Sequence, residues 1–188
     1  TNYAHPVDIR DYANTDRKRG WLNSLQIFLE QGPKTHRYIQ RRGFIGSCIY
    51  RFSHHGFPLK LATEGAIRNL SSGKRVTRDH IYSLNRTSEY LIKKYDSGQW
   101  NWDDVCRELP YLLTTILVTP QENNRLGVAQ RGGKNYTIED LFEMKHYTDN
   151  GFMLRTIPPK VTRTGKIRRG PTYYDGKLVT PHIKKLLI

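Results

Sequence analysis

The amino-acid sequence predicts an α+β fold, in which amphipathic helices and short strands follow one another without an internal repeat. Two patterns give this prediction. Leu22, Leu25, Phe28 and Leu29 recur at helical spacing, whereas the β-branched run 114–118 (TTILV) is typical of a buried strand. The length of 188 residues fits one domain, or a small domain with appended arms. It is enough for a modest core, although the 37% of hydrophobic residues is below the ~45% usual for globular chains.

The remaining elements follow from apolar periodicity, caps and turn residues. Helices are predicted at 15–31, 88–96, 102–109, from Thr119-Pro120 onward and from Thr137 to about His146, and strands at 43–53, 75–81 and 114–118. Either Thr15 or Asp16 can cap the first helix. The tail from Pro158 is predicted to be extended, with a hairpin at Asp175-Gly176.

The helix after strand 114–118 has the clearest start in the chain. Thr119 stands at its N-cap, Pro120 at the first helical position and Glu122 at the third, which together form a capping box. Gly127 is predicted to end this helix, because glycine favours helix C-termini.

Positive charge is concentrated in two segments that flank a segment rich in carboxylates. The chain has 31 Lys and Arg against 17 Asp and Glu, a net charge of +14. Residues 34–78 carry ten basic residues and one acidic residue, residues 151–188 carry nine and one, and residues 79–150 carry eight and eleven. This distribution indicates a polyanionic partner such as a phosphate backbone. The alternative is a solvated basic surface with no specific partner.

Cysteine usage and hydropathy exclude several classes of protein. Cys48 and Cys106 form no CxxC pair, which argues against a disulfide scaffold and against a zinc site built on cysteine pairs. The longest uncharged stretch, Leu109 to Gln121, is too short to span a bilayer. The first ten residues contain no secretory signal pattern. We therefore expect neither a membrane protein nor a secreted precursor.

The residues from Val76 to Leu126 contain the most informative order of elements. A strand ends in Asp79-His80-Ile81, and the strand in LLTTILVT then leads into a capped helix. Asn123 lies on that helix, nine positions after Thr114. A gap of 33 residues separates His80 from Thr114 and is interpreted as a helical insertion. This ordered set resembles the ββα-metal (HNH, His-Me finger) endonucleases. The phrases VTRDHIYS and TPQENNRL are most similar to phage-type and homing-endonuclease members.

The resemblance implies a ββα-metal core with a short helical insertion, and it assigns a role to each matching residue. Asp79 and Asn123 would be the metal ligands, with Asn124 as the alternative if the helix register differs by one. His80 would be the general base that takes a proton from water. The cofactor would be one divalent metal ion, Mg²⁺ first and Mn²⁺ second, because oxygen ligands suit both ions.

The chain departs from the family pattern at Thr114, where the family has a central Asn that pins the loop after the catalytic His. Thr114 is assigned this catalytic supporting role here, although its side chain reaches less far and has one fewer polar atom. The alternatives are that Asn85 substitutes for it, or that the site is weak or degenerate.

These inferences divide the chain into three segments. Residues 1–70 would be a basic α/β segment that binds nucleic acid, residues 71–135 the nuclease core, and residues 136–188 a helix followed by an extended basic arm. Contacts to nucleic acid are expected from seven arginines: Arg41, Arg42, Arg75, Arg78, Arg86, Arg168 and Arg169.

The predicted function is a metal-dependent endonuclease acting on double-stranded DNA, as a monomer or homodimer. Its expected location is the cytoplasm of a bacterial host or phage-infected cell, or an organelle. The alternative function is a non-catalytic, basic nucleic-acid-binding protein, such as a structural component of a ribonucleoprotein. A third hypothesis is a module of a larger machine that cuts only in context.

Overall fold

The computed structural model describes residues 8–31, 37–52, 56–131 and 136–157, and these residues form the mixed α+β fold that the sequence predicts. The described elements, in chain order, are α1 (Ile9–Tyr12), α2 (Asp16–Glu30), α3 (Tyr38–Phe52), β1 (Phe57–Thr63), α4 (Glu64–Ser71), β2 (Thr77–His80), α5 (Leu84–Asp96), α6 (Trp102–Leu112), β3 (Thr114–Val118), α7 (Pro120–Arg131), α8 (Ile138–Phe142), α9 (Lys145–Thr148) and β4 (Leu154–Thr156).

The four described strands form one sheet in the order β2-β3-β1-β4. Strand β1 pairs with β4 in antiparallel register, with Leu61 opposite Thr156 and Thr63 opposite Leu154. Strand β3 is buried along its whole length, which explains its β-branched and apolar sequence. The two strands that carry the resemblance, β2 and β3, are therefore neighbours in this sheet.

The chain divides into two compact units. The first contains Phe57–Asp79 and the described residues that follow Thr114, and its core includes Ala62, Ala66, Leu117 and Ile157. The second contains the described residues before Phe57 together with His80–Thr114. We refer to these as the sheet unit and the helical unit.

The helical unit is built around α3, which packs against α2 and α5. The prediction of a strand at 43–53 is wrong, because residues 43–52 lie in α3; residue 53 is outside the described residues. Ile45, Cys48, Ile49 and Phe52 are buried at intervals of three and four residues, so they line one face of a helix. The short apolar run is compatible with the period of a strand and with that of a helix. Packing against two neighbouring helices favours the helix.

Several of the other local predictions agree with the structure. Strand β3 occupies the predicted residues 114–118, and the helices predicted at 88–96 and 102–109 are confirmed as the longer helices α5 and α6. Thr15 caps α2 through its hydroxyl, which accepts from the Lys18 amide.

Two helix ends differ from prediction. Gly127 does not end α7, which continues to Arg131. The helix predicted from Thr137 to His146 is two short helices, α8 and α9, because Met144 adopts a left-handed conformation with φ of 55° between them. The predicted loop at 132–134, the extended tail and its hairpin lie outside the described residues.

Within the part of the chain that the structure describes, we find no helix that is both long and apolar enough to cross a bilayer.

Candidate functional site

Asp79 lies near the end of β2 in the sheet unit and is partly buried. Its Oδ2 atom accepts a hydrogen bond of 2.6 Å from the hydroxyl of Tyr147. Burial raises the pKa of the Asp79 carboxyl to about 6, and the Tyr147 hydrogen bond opposes this shift. The Asp79 carboxyl group is thus partly desolvated, and a nearby positive charge would stabilise its ionised form.

His80 is the last residue of β2, and its Nε2 atom is buried. The next residue, Ile81, donates its backbone amide to the carbonyl of Thr114 over 3.1 Å. The backbone directly after His80 is therefore held to the start of β3 by a main-chain hydrogen bond.

The hydroxyl of Thr114 donates to the carbonyl of Tyr111 at the end of α6, over 2.9 Å. The Thr114 side chain is therefore directed to its own preceding helix and not to the chain after His80. Its backbone carbonyl makes the link to Ile81 instead. Asn85, the alternative candidate, is exposed in the first turn of α5.

Asn123 lies in the first turn of α7 and is half-buried, whereas Asn124 is exposed. The predicted capping box is present in full. The Thr119 amide donates to Glu122 Oε2 over 2.8 Å, and the Glu122 amide donates to Thr119 Oγ1 over 3.1 Å. The start of α7, and with it the backbone of Asn123, is therefore well defined.

A second helix start is joined to this cap. Thr63 Oγ1 accepts from the Ala66 amide at the start of α4 and donates to Glu122 Oε2 over 2.6 Å. Gly65 lies directly under the same carboxylate, and a Cβ atom at this position would collide with it. One carboxylate thus connects the N-termini of α4 and α7, and a side chain at position 65 would displace it.

We expect Gly65→Ala to be net destabilising for the sheet unit by up to about 1 kcal/mol. Loss of the Glu122 hydrogen bonds that cap α7 costs about 1–2 kcal/mol, and the helical gain of replacing a glycine in α4 offsets part of it. Urea unfolding followed by circular dichroism measures this change. The control is Gly20→Ala in α2, where a Cβ meets nothing within 4 Å. The control should raise stability by up to about 1 kcal/mol, and equal effects of the two substitutions would contradict the proposed collision.

Arg41, one of the predicted nucleic-acid contacts, is buried in the helical unit. Its guanidinium forms a two-pronged ion pair with Asp96 at 2.6 and 2.8 Å. It also donates to the carbonyls of Phe28 and Leu29 at the end of α2. Arg41 therefore joins α2, α3 and α5, and its donors are not directed to solvent.

The other described arginines differ in how they are engaged. Arg42 and Arg86 both pair with Glu89, at 2.6 and 2.7 Å. Arg78 on β2 and Arg75 just before this strand are both exposed. Arg168 and Arg169 lie outside the described residues. Their exposed side chains make Arg75 and Arg78 candidates for contact with a phosphate.

Tyr147 and His146 are the residues of this region that the sequence did not reveal. Both are buried in α9, and their rings lie 3.9 Å apart between centroids. Neither ring nitrogen of His146 has a hydrogen-bond partner within the described residues. Tyr147 is 68 positions from Asp79, so no local pattern could have joined the two.

Burial lowers the pKa of His146 from 6.5 to about 3. Between these pH values the unfolded chain binds a proton that the native state does not, so the free energy of unfolding falls as the pH falls. Asp79, whose pKa is raised from 3.8 to about 6, contributes with the opposite sign over an overlapping window.

We expect His146→Phe to remove the histidine contribution and to leave that of Asp79 in place. At pH 4.5 the variant should be more stable relative to wild type than at pH 7.5, by about 2–3 kcal/mol, since one pKa unit is worth ~1.4 kcal/mol. Urea unfolding of both proteins at the two pH values measures this difference. Parallel pH profiles would show that His146 is not buried in its neutral form.

Among the residues that the structure describes, no group of three or more His, Cys, Asp and Glu side chains lies close enough together to hold a metal ion. A site formed by Asp79 and Asn123 would use one carboxylate and one amide and would leave other positions to water and phosphate. In comparisons with known proteins, no family model, no curated protein and no solved structure matches this chain.

Proposed function

We propose that the protein is a metal-dependent DNA endonuclease of the ββα-metal type. The observation that carries the proposal is the order β2, β3, α7, in which two neighbouring strands are followed at once by a capped helix. Asp79-His80 ends the first of these strands, and Asn123 lies in the first turn of the helix.

The donor atoms of the proposed site suit Mg²⁺ or Mn²⁺. Asp79 offers a carboxylate and Asn123 an amide oxygen, both hard ligands. The partly buried carboxylate supports the choice, because the positive charge of an ion would offset the cost of ionising Asp79 in this place. When bound, such an ion supplies charge stabilisation at the scissile phosphate and the leaving oxygen.

The remaining chemistry falls to His80. Because its Nε2 is buried, the other ring nitrogen would take a proton from a water molecule. The water oxygen attacks phosphorus, the bond from phosphorus to the 3′ oxygen breaks, and the leaving 3′ oxygen takes a proton from solvent. The main-chain hydrogen bond from Ile81 to Thr114 supports this role, because it holds the backbone next to His80 as the family's central Asn would. Exposed Arg75 and Arg78 on the sheet unit are the proposed phosphate contacts.

The second candidate function is a non-catalytic nucleic-acid-binding protein. It is favoured by Thr114, whose hydroxyl is used at the end of α6 and does not replace the family's Asn. The net charge of +14 is compatible with both the binding protein and the endonuclease.

Cleavage of supercoiled plasmid separates the two functions. The endonuclease should convert supercoiled to nicked DNA with Mg²⁺ or Mn²⁺, and EDTA should stop the reaction. Salt-dependent plasmid binding without nicking under either ion, across plasmids of varied sequence, would favour the binding protein. A single ββα site acts on one strand, so nicked circles are the expected product of a monomer, and early linear DNA would indicate a dimer.

A further inference from the structure

The hydrogen bond between Tyr147 and Asp79 joins two parts of the sheet unit that are far apart in the sequence. Tyr147 is fully buried, and its hydroxyl lies 2.6 Å from Asp79 Oδ2. A buried tyrosine hydroxyl normally has a polar partner, and here the partner is the carboxylate of Asp79, a proposed metal ligand. The bond therefore satisfies the buried hydroxyl and at the same time occupies one oxygen of that carboxylate.

The backbone around Tyr147 is held from both sides. Its amide donates to the carbonyl of Met144, and its carbonyl accepts from the Phe152 amide, each over 3.0 Å. The side chain of Asn150 donates to the carbonyl of His146 over 2.7 Å. These bonds hold the backbone that carries the Tyr147 side chain, and the 2.6 Å hydrogen bond places its hydroxyl at Asp79.

The same segment also contacts α7. Arg125 donates to the carbonyl of Asn150 over 3.1 Å, and its guanidinium carbon lies 4.8 Å from the ring centroid of Phe152. Residues 144–152 thus hold β2 through Tyr147 and α7 through Arg125. These two elements carry Asp79 and Asn123.

We propose that Tyr147 is the positioning residue for Asp79 as a metal ligand. Its hydrogen bond occupies Oδ2 and fixes the plane of the carboxylate, so that Oδ1 is the oxygen offered to a divalent cation. Oδ1 accepts no hydrogen bond from the described part of the chain. This role rests on the proposed function, since it presumes that Asp79 binds the ion. Partners that orient a ligand typically change metal affinity by about 10–100-fold when removed.

The test is Mn²⁺ binding by the 188-residue chain without DNA, measured by calorimetry and by the electron paramagnetic resonance of free Mn²⁺. Tyr147→Phe should weaken binding by about tenfold. In an Asp79→Asn background the same substitution should have no further effect, because Tyr147 acts through Asp79.

Tyr136→Phe is the matched control. Tyr136 also donates to an aspartate, Asp149, over 3.4 Å, but Asp149 is not a proposed ligand. This variant should bind Mn²⁺ like wild type. Equal affinities of wild type and Tyr147→Phe would overturn the positioning role, as would equal losses in Tyr147→Phe and Tyr136→Phe.

The outcomes separate this inference from the proposed function. If wild type and Asp79→Asn bind Mn²⁺ equally, Asp79 is not a ligand and both proposals fail at that point. If Asp79→Asn loses Mn²⁺ binding and Tyr147→Phe does not, Asp79 remains a ligand and only the positioning role of Tyr147 is wrong.

If Tyr147→Phe does not fold, carboxyl NMR of wild-type Asp79 during Mg²⁺ titration is the deciding experiment. The role then requires the Asp79 and Tyr147 signals to shift with one saturation curve, and separate curves overturn it.

Discussion

Replacement of His80 by alanine is expected to reduce Mg²⁺-dependent nicking by roughly 100- to 10,000-fold, the usual contribution of a positioned general base. Plasmid binding should be retained, because the arginines of the sheet unit are unchanged. The physical reason is that neutral water is a poor nucleophile, and His80 is the residue proposed to take its proton. Rates of supercoiled-plasmid loss, with binding measured by gel shift in EDTA, give both quantities.

The control for His80→Ala is Thr77→Ala at the other end of the same strand. It tests whether a shortened side chain on β2 is itself enough to stop cleavage, and it should leave the nicking rate within about twofold of wild type, as expected for a substitution away from the reacting groups. If both variants keep the full rate, His80 is not the base. If wild type and both variants bind plasmid equally and none cleaves, the binding-protein function is favoured.

Arg41→Ala is expected to destabilise the helical unit by about 3 kcal/mol, near the lower end of the range for breaking a buried ion pair. The lower end applies because Asp96 is 41% exposed and water can solvate it after the change. The carbonyls of Phe28 and Leu29 also lose their donor at the end of α2. Urea unfolding at constant ionic strength measures the loss.

The neighbouring residue provides the control for Arg41. Arg42 is about one-third exposed and pairs with Glu89 on the surface, so Arg42→Ala should cost at most about 1 kcal/mol. Arg41→Lys keeps the charge but cannot form the planar double contact, and we expect an intermediate loss. Equal stabilities of Arg41→Ala and Arg42→Ala would contradict the structural role of Arg41.

Features that depend on neighbours in the sequence were predictable. Strand β3 is a β-branched run followed at once by a helix start, and Thr119 and Glu122 are three residues apart, so the capping box is a local interaction. The helices α5 and α6 were also predicted, but the predicted helices are shorter than those in the structure. The order of strand, strand and helix, and hence the candidate site, follows from these local signals.

Other features were decided by packing between distant residues. Residues 43–52 were compatible with a strand, and burial of Ile45, Ile49 and Phe52 against neighbouring helices makes them helical. Arg41 and Arg42 are adjacent and chemically identical, yet one is buried and the other faces outward. Helical periodicity separates them by about 100°, and the sequence does not state which direction faces the core.

Composition and short-range spacing predict the α+β class, the basic flanks and the residues of the candidate site from the chain alone. Three features follow from the folded arrangement: Tyr147 donates to Asp79, Glu122 joins the starts of α4 and α7, and His146 is buried without a hydrogen-bond partner among the described residues. Each of these depends on contacts between residues far apart in the chain, which no local pattern encodes.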